Sequence, residues 1–488
     1  MKVKYINQFK EEYMSLDLEP KEVFKYFYEI NQIPRGSGKE KKISDYLVDF
    51  AKKRNLEVVQ DEEYNVIIKK PASAGYENSP TVILQGHMDM VCVKEDGSEH
   101  DFDKDPIQMY VEDGFLKAKQ TTLGADDGIA VAYSLAILDG DYKHPALEIC
   151  ITTNEETGMY GADALKPGSL TGSVLLNMDS EEEGEFLTTC AGGATFNAYF
   201  PIKKEDFTGQ GLSLTVKGLL GGHSGGEIHK QRANSNKVLV RLLNEIRKEN
   251  ELRIISIVGG IKDNAIPANS TAQIIAKDAA KAEETAKKLF ESIKKEYSVQ
   301  DPDMQLEISK TDVKTAYTKE LTDNIIDYLM TVPDGVIKMS MDMENLVETS
   351  LNNAILKEAN DNLMIITSTR SSVESELDDL LDRLQIFAKT FNADFNILAR
   401  YPGWEYEKNS KVRDLAKKLY EDMFDKEAKL TAIHAGVECG LLKRILPDCD
   451  MISYGPDMFD VHSPKEHLDI ASAKRVFDFT VKLLENLK

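Results

Sequence analysis

Cysteine is scarce and badly placed for pairing. The five in 488 residues are Cys92, Cys150, Cys190, Cys439 and Cys449. Their odd number and wide separation exclude a disulfide framework and a CxxC zinc site, and they argue for reduced thiols in a cytoplasmic setting. Long apolar runs are missing too. No stretch approaches the ~20 apolar residues of a membrane span, and the N-terminal MKVKYINQFKEEYM holds no apolar core of signal-peptide length. Basic residues are outnumbered, 60 Lys and Arg against 83 Asp and Glu, for a formal charge of −23. That balance disfavours nucleic acid and anionic membrane surfaces as partners. Internal repeats and low-complexity tracts are absent. The glycine-dense loop 218–226 lacks the lysine of GxxxxGK[ST], which excludes a phosphate-binding P-loop.

What is present is an ordinary globular composition, 42% apolar, in a chain too long for one core. Residues 1–17 are polar and read as a lead-in. Ser37 and Glu40 fit a capping box ahead of a helix that turns Ile43, Tyr46, Leu47 and Phe50 inward. Strands are expected at 56–59, 65–68, 81–84, 147–152 and 173–178, and helices alternate with them. That alternation predicts an α/β layer fold. From about 187 to 397, strands with one wet face alternate with Lys/Glu-rich helices, which predicts a separate α+β domain. The expected organisation is therefore a discontinuous first domain, 1–186 with 398–488, interrupted by a second at 187–397.

The chemistry-bearing residues fall at strand ends. His87 and Asp89 follow the run 81–84, Asp126 and Asp127 open a helix, Glu155 and Glu156 follow 147–152, and Asp179 follows 173–178. In open α/β sheets ligands bind beyond the carboxyl ends of the strands. Acids at a helix N-terminus are favoured without any ligand. Several carboxylates on one sheet edge nonetheless repel one another, and a cation is the simplest compensation. Mixed imidazole and carboxylate donors suit Zn²⁺, Co²⁺ or Mn²⁺ better than Ca²⁺. Of two adjacent glutamates, one can ligate while the other carries protons. His462 follows a strand and a Gly455 turn, as His87 follows a strand and Gly86, so it would supply a second imidazole if its segment returns to the first sheet. His223 in the glycine-dense loop could be presented to substrate, and Arg370 at a strand end could clamp a carboxylate.

Taken in order, Gly86-His87-Met-Asp89, Gly124-Ala-Asp126-Asp127-Gly128, Asn154-Glu155-Glu156-Thr-Gly158, Asn177-Met-Asp179 and Val461-His462-Ser-Pro464 resemble the M20 family of co-catalytic metallopeptidases. Gly221-Gly-His223-Ser224-Gly-Gly, Asn264-Ala-Ile-Pro267, Arg370-Ser-Ser372 and His434-Ala-Gly436-Val-Glu438-Cys-Gly440 resemble its aminoacyl-histidine dipeptidase branch. The resemblance spans nearly the whole chain from about residue 18. It implies a mixed-sheet α/β/α catalytic domain with a di-metal site at strand C-terminal ends, and an inserted α+β lid domain.

The resemblance also implies roles. Two divalent ions per chain, Zn²⁺ first with Co²⁺ or Mn²⁺ as alternatives, would be held by His87 and Asp179 on one side and by Glu156 and His462 on the other, with Asp126 between them. Asp89 would orient the His87 ring, and Glu155 would be the general base. His223 would stabilise the oxyanion, in one version across a homodimer formed through the lid, while Asn264, Arg370 and the backbone at Gly436 would hold the substrate's carboxylate. Asp127 stands where the branch commonly has Asn, which alters local electrostatics only. The implied activity is hydrolysis of dipeptides of broad specificity, Xaa-His included. The rivals are a tripeptidase or N-acyl-amino-acid deacylase on the same scaffold, and a non-catalytic binding protein.

Overall fold

A computed structural model of the chain describes residues 18–312 and 315–488. The lead-in expected over 1–17 lies outside the described residues. The chain divides into two compact units. The first comprises residues up to Thr189, Glu407–Thr431 and Val437–Lys488; the second is Cys190–Tyr406 with Ala432–Gly436. Relative to the expected boundaries, the chain comes back to the first unit at Glu407 rather than at 398, and the short piece 432–436, which includes Gly436, groups with the second unit.

The first unit is built on an eight-stranded mixed sheet. Its order is Glu57–Gln60, Val66–Lys70, Leu147–Thr152, Val82–His87, Val174–Asn177, Asp450–Ser453, Glu185–Cys190 and Lys429–Ile433. The four central strands, from Leu147–Thr152 to Asp450–Ser453, run parallel. They are buried almost throughout, which is why they read as short continuous apolar runs and not as alternating ones. The helix Ala125–Asp139 packs against Val82–His87 and against the helices Lys21–Asn31 and Ile470–Asn486. Nearly every residue of it is buried, as expected for a helix apolar all round.

Three expectations are corrected here. The strand expected to stop before Gly86 continues through it to His87. A Cβ on Gly86 would lie 2.3 Å from Asp127 Oδ2 and 2.7 Å from Ala130 Cβ, so this glycine admits the helix against the strand and is no turn. The capping box also fails: the helix Lys41–Lys53 has no side-chain cap, because the Ser37 hydroxyl donates to Asp89 and Glu40 accepts from the amides of Gly38 and Asn154, all outside the helix. Finally, the stretch 91–120, where no strand is expected, contains the hairpin strands Met109–Glu112 and Phe115–Ala118. These join His467–Asp469 and Met458–Phe459 in a four-stranded sheet, a long-range pairing that local sequence does not announce.

The second unit is an antiparallel sheet ordered Gln305–Thr311, Gln210–Lys217, Ser270–Ala276, Leu252–Gly259, Val347–Ala359, Asn362–Ser371, Gly192–Pro201 and Asp394–Tyr401, with Gly335–Met339 also paired to Val347–Ala359. Burial alternates along its outer strands, the signature of one wet face. Its core takes in Leu239 and Leu243 of Ser235–Glu249, Phe290 of Ala279–Glu296, Ile325 of Lys319–Thr331 and Leu381 of Glu374–Thr390. Among the described residues no helix is long and apolar enough to cross a membrane, and no disulfide links the five cysteines.

Candidate active site

The parallel strands of the first unit deliver their last residues to one edge. His87 ends its own strand, and its Nε2 lies 3.0 Å from Asp126 Oδ1 and 3.5 Å from Asp179 Oδ1. The other Asp126 oxygen, Oδ2, lies 3.0 Å from His462 Nε2. That same nitrogen is 2.9 Å from Glu156 Oε2. One carboxylate thus faces two imidazoles, one oxygen to each, with a further acid beside each imidazole. His87 is 1% exposed and His462 49% exposed, so one side of the arrangement is enclosed and the other open to solvent. The donor atoms of Asp126, Glu156 and His462 lie within 4.8 Å of one another, as do those of His87, Glu155 and Glu156 and those of His87, Asp127 and Asp179.

Asp89 is fully buried behind this edge. Its Oδ1 lies 3.5 Å from His87 Nδ1 and accepts from the Glu155 amide at 3.1 Å. Its Oδ2 accepts from the Ser37 hydroxyl at 2.8 Å and from the Glu156 amide at 3.4 Å. One carboxylate therefore aims the ring and holds the turn that carries both glutamates. Glu40 continues the support by accepting from the Asn154 amide at 3.1 Å. Asp127 accepts from the His87 amide at 3.2 Å, and burial, with Asp179 and Asp126 nearby, holds its carboxyl well above the usual range.

The turn before Asp126 is clamped from two sides. Glu466 accepts from the amides of Leu123, Gly124 and Ala125 at 2.7–3.0 Å. Buried Arg35 donates to the carbonyls of Gly124, Met88 and Asp89. Gly124 has φ +70°, and a Cβ there would come within 2.4 Å of the Arg35 guanidinium. Glycine is therefore required at this position.

The electrostatics are those of excess negative charge in a low-dielectric place. Burial pushes Glu155 up to about 9 and Asp179 up to about 7, with neighbouring acids adding to both. His462 is pulled up to about 11 by Asp126 and Glu156. His87 rises well above the ordinary value: burial opposes this, and Asp179, Asp126 and Asp89 outweigh it. Without a cation the acids can be compensated only by holding protons on themselves and on the imidazoles. This donor set therefore fits divalent cations.

The four remaining candidates, His223, Asn264, Arg370 and Gly436, all fall in the second unit. The strand Gly222–His223 pairs with Ala265–Ile266, and the Ser224 amide donates to the Asn264 carbonyl at 2.8 Å. The amides of Gly225 and Gly226 donate to His223 Nδ1 at 3.2 and 3.0 Å. When the ring is neutral its hydrogen therefore sits on Nε2. Arg370 donates to the Tyr401 hydroxyl at 3.0 Å, and its Nε has no partner. His434, two residues before Gly436, pairs with the Ser350 hydroxyl at 2.7 Å. Burial, with Arg370 and His223 nearby, pushes His434 down to about 3.

The arrangement can be set beside known proteins. The model for peptidase family M20/M25/M40 matches residues 83–486. The chain belongs to the M20 peptidase family. The cytosol non-specific dipeptidase of Escherichia coli (strain K12) is 38% identical over 476 residues, covering 96% of this chain and 98% of that protein. The crystal structure of the aminoacylhistidine dipeptidase from Vibrio alginolyticus superposes with a TM-score of 0.92 at 36% identity, over 97% of this chain and 98% of that one. A tripeptidase from Staphylococcus aureus shares the fold at a TM-score of 0.56 and 14% identity, over 96% and 99% of the two chains.

Sequence reasoning missed several members of the site. Ser37 and Glu40 carried a signal that pointed to a helix cap instead. Glu466 stands two residues beyond a quoted motif and Glu438 within one, but nothing in their spacing says that they face the strand ends. Arg35 is an isolated basic residue with no local pattern at all.

Proposed function

We propose that this chain is a dipeptidase that works through two divalent cations, zinc first among them. The observation that carries the reading is the Asp126 carboxylate, which reaches His87 Nε2 with one oxygen and His462 Nε2 with the other, each at 3.0 Å. His87 and Asp179 would hold one ion, Glu156 and His462 the second, and Asp126 would serve both. Ions held there would acidify a water and polarise the peptide carbonyl.

The chain's own residues do the rest. Glu155, next to a ligand yet free of that duty, takes a proton from the attacking water. It returns that proton to the amine nitrogen as the carbon–nitrogen bond breaks. Asp89 fixes the His87 ring and the backbone of Glu155 together, so that ligand and base keep one spacing. In the second unit, His223 offers Nε2–H to developing negative charge. Arg370, Asn264 and the Gly436 backbone take the substrate's terminal carboxylate. A carboxylate clamp selects short peptides that end where it sits. The 38% identity to a dipeptidase across nearly the full length supports that substrate class over the rivals.

Pairing of two chains through the second unit belongs to the same proposal. Leu220, Val258 and Ile261 leave apolar surface exposed there. A cytoplasmic setting is supported by the absence of disulfides and by the cytosolic relative.

The test is turnover of dipeptides, tripeptides and N-acetyl amino acids after chelation and after adding back Zn²⁺, Mn²⁺ or Co²⁺. Dipeptides should be preferred, chelation should abolish turnover, and at least one ion should restore it. Preference for tripeptides or acetylated substrates, or activity indifferent to chelation, overturns the proposal.

A further inference from the structure

Beneath the candidate ligands lies a buried acid that the proposed chemistry does not use. Glu438 opens the helix Glu438–Ile445 and is 0% exposed. Its Oε2 accepts from Gln85 Nε2 at 2.5 Å and from the Thr152 hydroxyl at 2.8 Å. Thr152 has one hydrogen to give. Its alternative acceptor, the Gly86 carbonyl, is at 3.2 Å, so the shorter bond to a carboxylate is the stronger one. Gln85 in turn accepts from Asn177 Nδ2 at 2.5 Å. Glu438 Oε1 makes no hydrogen bond.

These partners sit on three neighbouring strands. Gln85 lies directly opposite Asn177, and Thr152 directly opposite His87. From Gln85 the chain reaches His87 in two residues. Asn177 stands two residues before Asp179, and Thr152 three and four before Glu155 and Glu156. One carboxylate oxygen therefore gathers, directly or through Gln85, the ends of three of the four parallel strands, those that run on into His87, Asp179 and the Glu155–Glu156 turn. Backbone pairing alone fixes the spacing of adjacent strands. It does not fix how far each end bends over the edge, and side-chain ties at the last pair do.

We infer that Glu438 is a positioning residue for the cation site: it pins the three strand ends so that His87, Asp179 and the Glu155–Glu156 turn converge. The inference rests on the ligand assignment above. It goes beyond it by giving a role to a residue that touches neither ligand nor substrate. Groups that orient metal ligands typically change metal affinity by about 10–100-fold when removed.

The experiment measures Zn²⁺ affinity of the metal-free full-length chain by competition with a chromophoric chelator, alongside the thermal midpoint. The variants are Glu438→Ala, Glu438→Gln, Thr152→Val, Gln85→Leu, His87→Ala and Leu442→Ala. Leu442 is a buried residue of the same helix, and its hydrocarbon side chain can offer the strand ends no hydrogen bond. Glu438→Ala should weaken Zn²⁺ about 10–100-fold. Glu438→Gln keeps an acceptor oxygen and should recover affinity to within about threefold, because only one oxygen is used. Thr152→Val and Gln85→Leu should fall between, and they carry the test if Glu438→Ala does not fold. Leu442→Ala should lower the midpoint and leave affinity alone. Glu438→Ala binding as tightly as the parent, or Leu442→Ala weakening Zn²⁺ as much as Glu438→Ala does, overturns the inference. If the parent and His87→Ala bind Zn²⁺ alike, the ligand assignment itself falls, a different failure with a different signature.

Discussion

The histidines of the two units are driven in opposite directions. In the first unit His462 is pulled up to about 11 by Asp126 and Glu156, and His87 also rises among buried acids. In the second, His434 is pushed down to about 3 and His223 is lowered, by burial and then by Arg370. The same side chain is an ammonium-like partner in one place and a neutral hydrogen-bonding group in the other. The neighbours decide which. Carboxylates gathered at parallel strand ends make a place that needs positive charge. An arginine with an unpartnered Nε beside neutral imidazoles makes one that suits an anion. The first suits the proposed holding of cations and moving of protons, the second the proposed recognition of a carboxylate.

That contrast can be broken most decisively at Glu155. Glu155→Gln should lower kcat by about 10²–10⁴-fold with Zn²⁺ stoichiometry unchanged, read by steady-state kinetics and metal analysis on the same sample. Parent-like kcat would remove Glu155 from the role of base. The second unit should answer differently. Arg370→Met should raise KM for dipeptides by about 10–100-fold, the loss of one or two charged hydrogen bonds, with metal content at the parent level. A fall in kcat at constant KM would instead place Arg370 with the reacting groups.

The smallest effect is on stability, and its sign follows from His434. Its folded value, about 3, is below that of the unfolded chain, about 6.5. Between those values the unfolded state binds more protons, so stability rises with pH and is lost as pH falls below about 6.5. From pH 7 to pH 5 this group alone should cost about 2 kcal/mol. Urea unfolding of His434→Gln at both pH values should show that much less acid destabilisation than the parent.

How much of this was legible in the sequence varies with the physics involved. The parallel strands were readable because burial on both faces leaves short apolar runs at 81–84, 147–152 and 173–178. The acids were readable because each follows such a run. The hairpin Met109–Glu112 and Phe115–Ala118 was not, since its partner strands lie far away in sequence, at Met458–Phe459 and His467–Asp469. Ser37 and Glu40 misled for an instructive reason. A hydroxyl and a carboxylate three residues apart can serve a helix cap or other partners equally well, and only the tertiary structure shows that Ser37 donates to Asp89 while Glu40 accepts from the amides of Gly38 and Asn154. Glu438 was invisible as a tie between strands because its partners come from positions 85 and 152.

Gly86 has a consequence for anyone who maps tolerance by saturating positions one at a time. A methyl group there has 2.3 Å to the nearest atom, the Oδ2 of Asp127. Even alanine must therefore move either the strand that ends in His87 or the helix that begins beside Asp126. Such a screen would score position 86 as intolerant as the ligands themselves. It would be recording a shortage of room, and a reader of the screen alone would take a hinge of packing for a participant in the reaction.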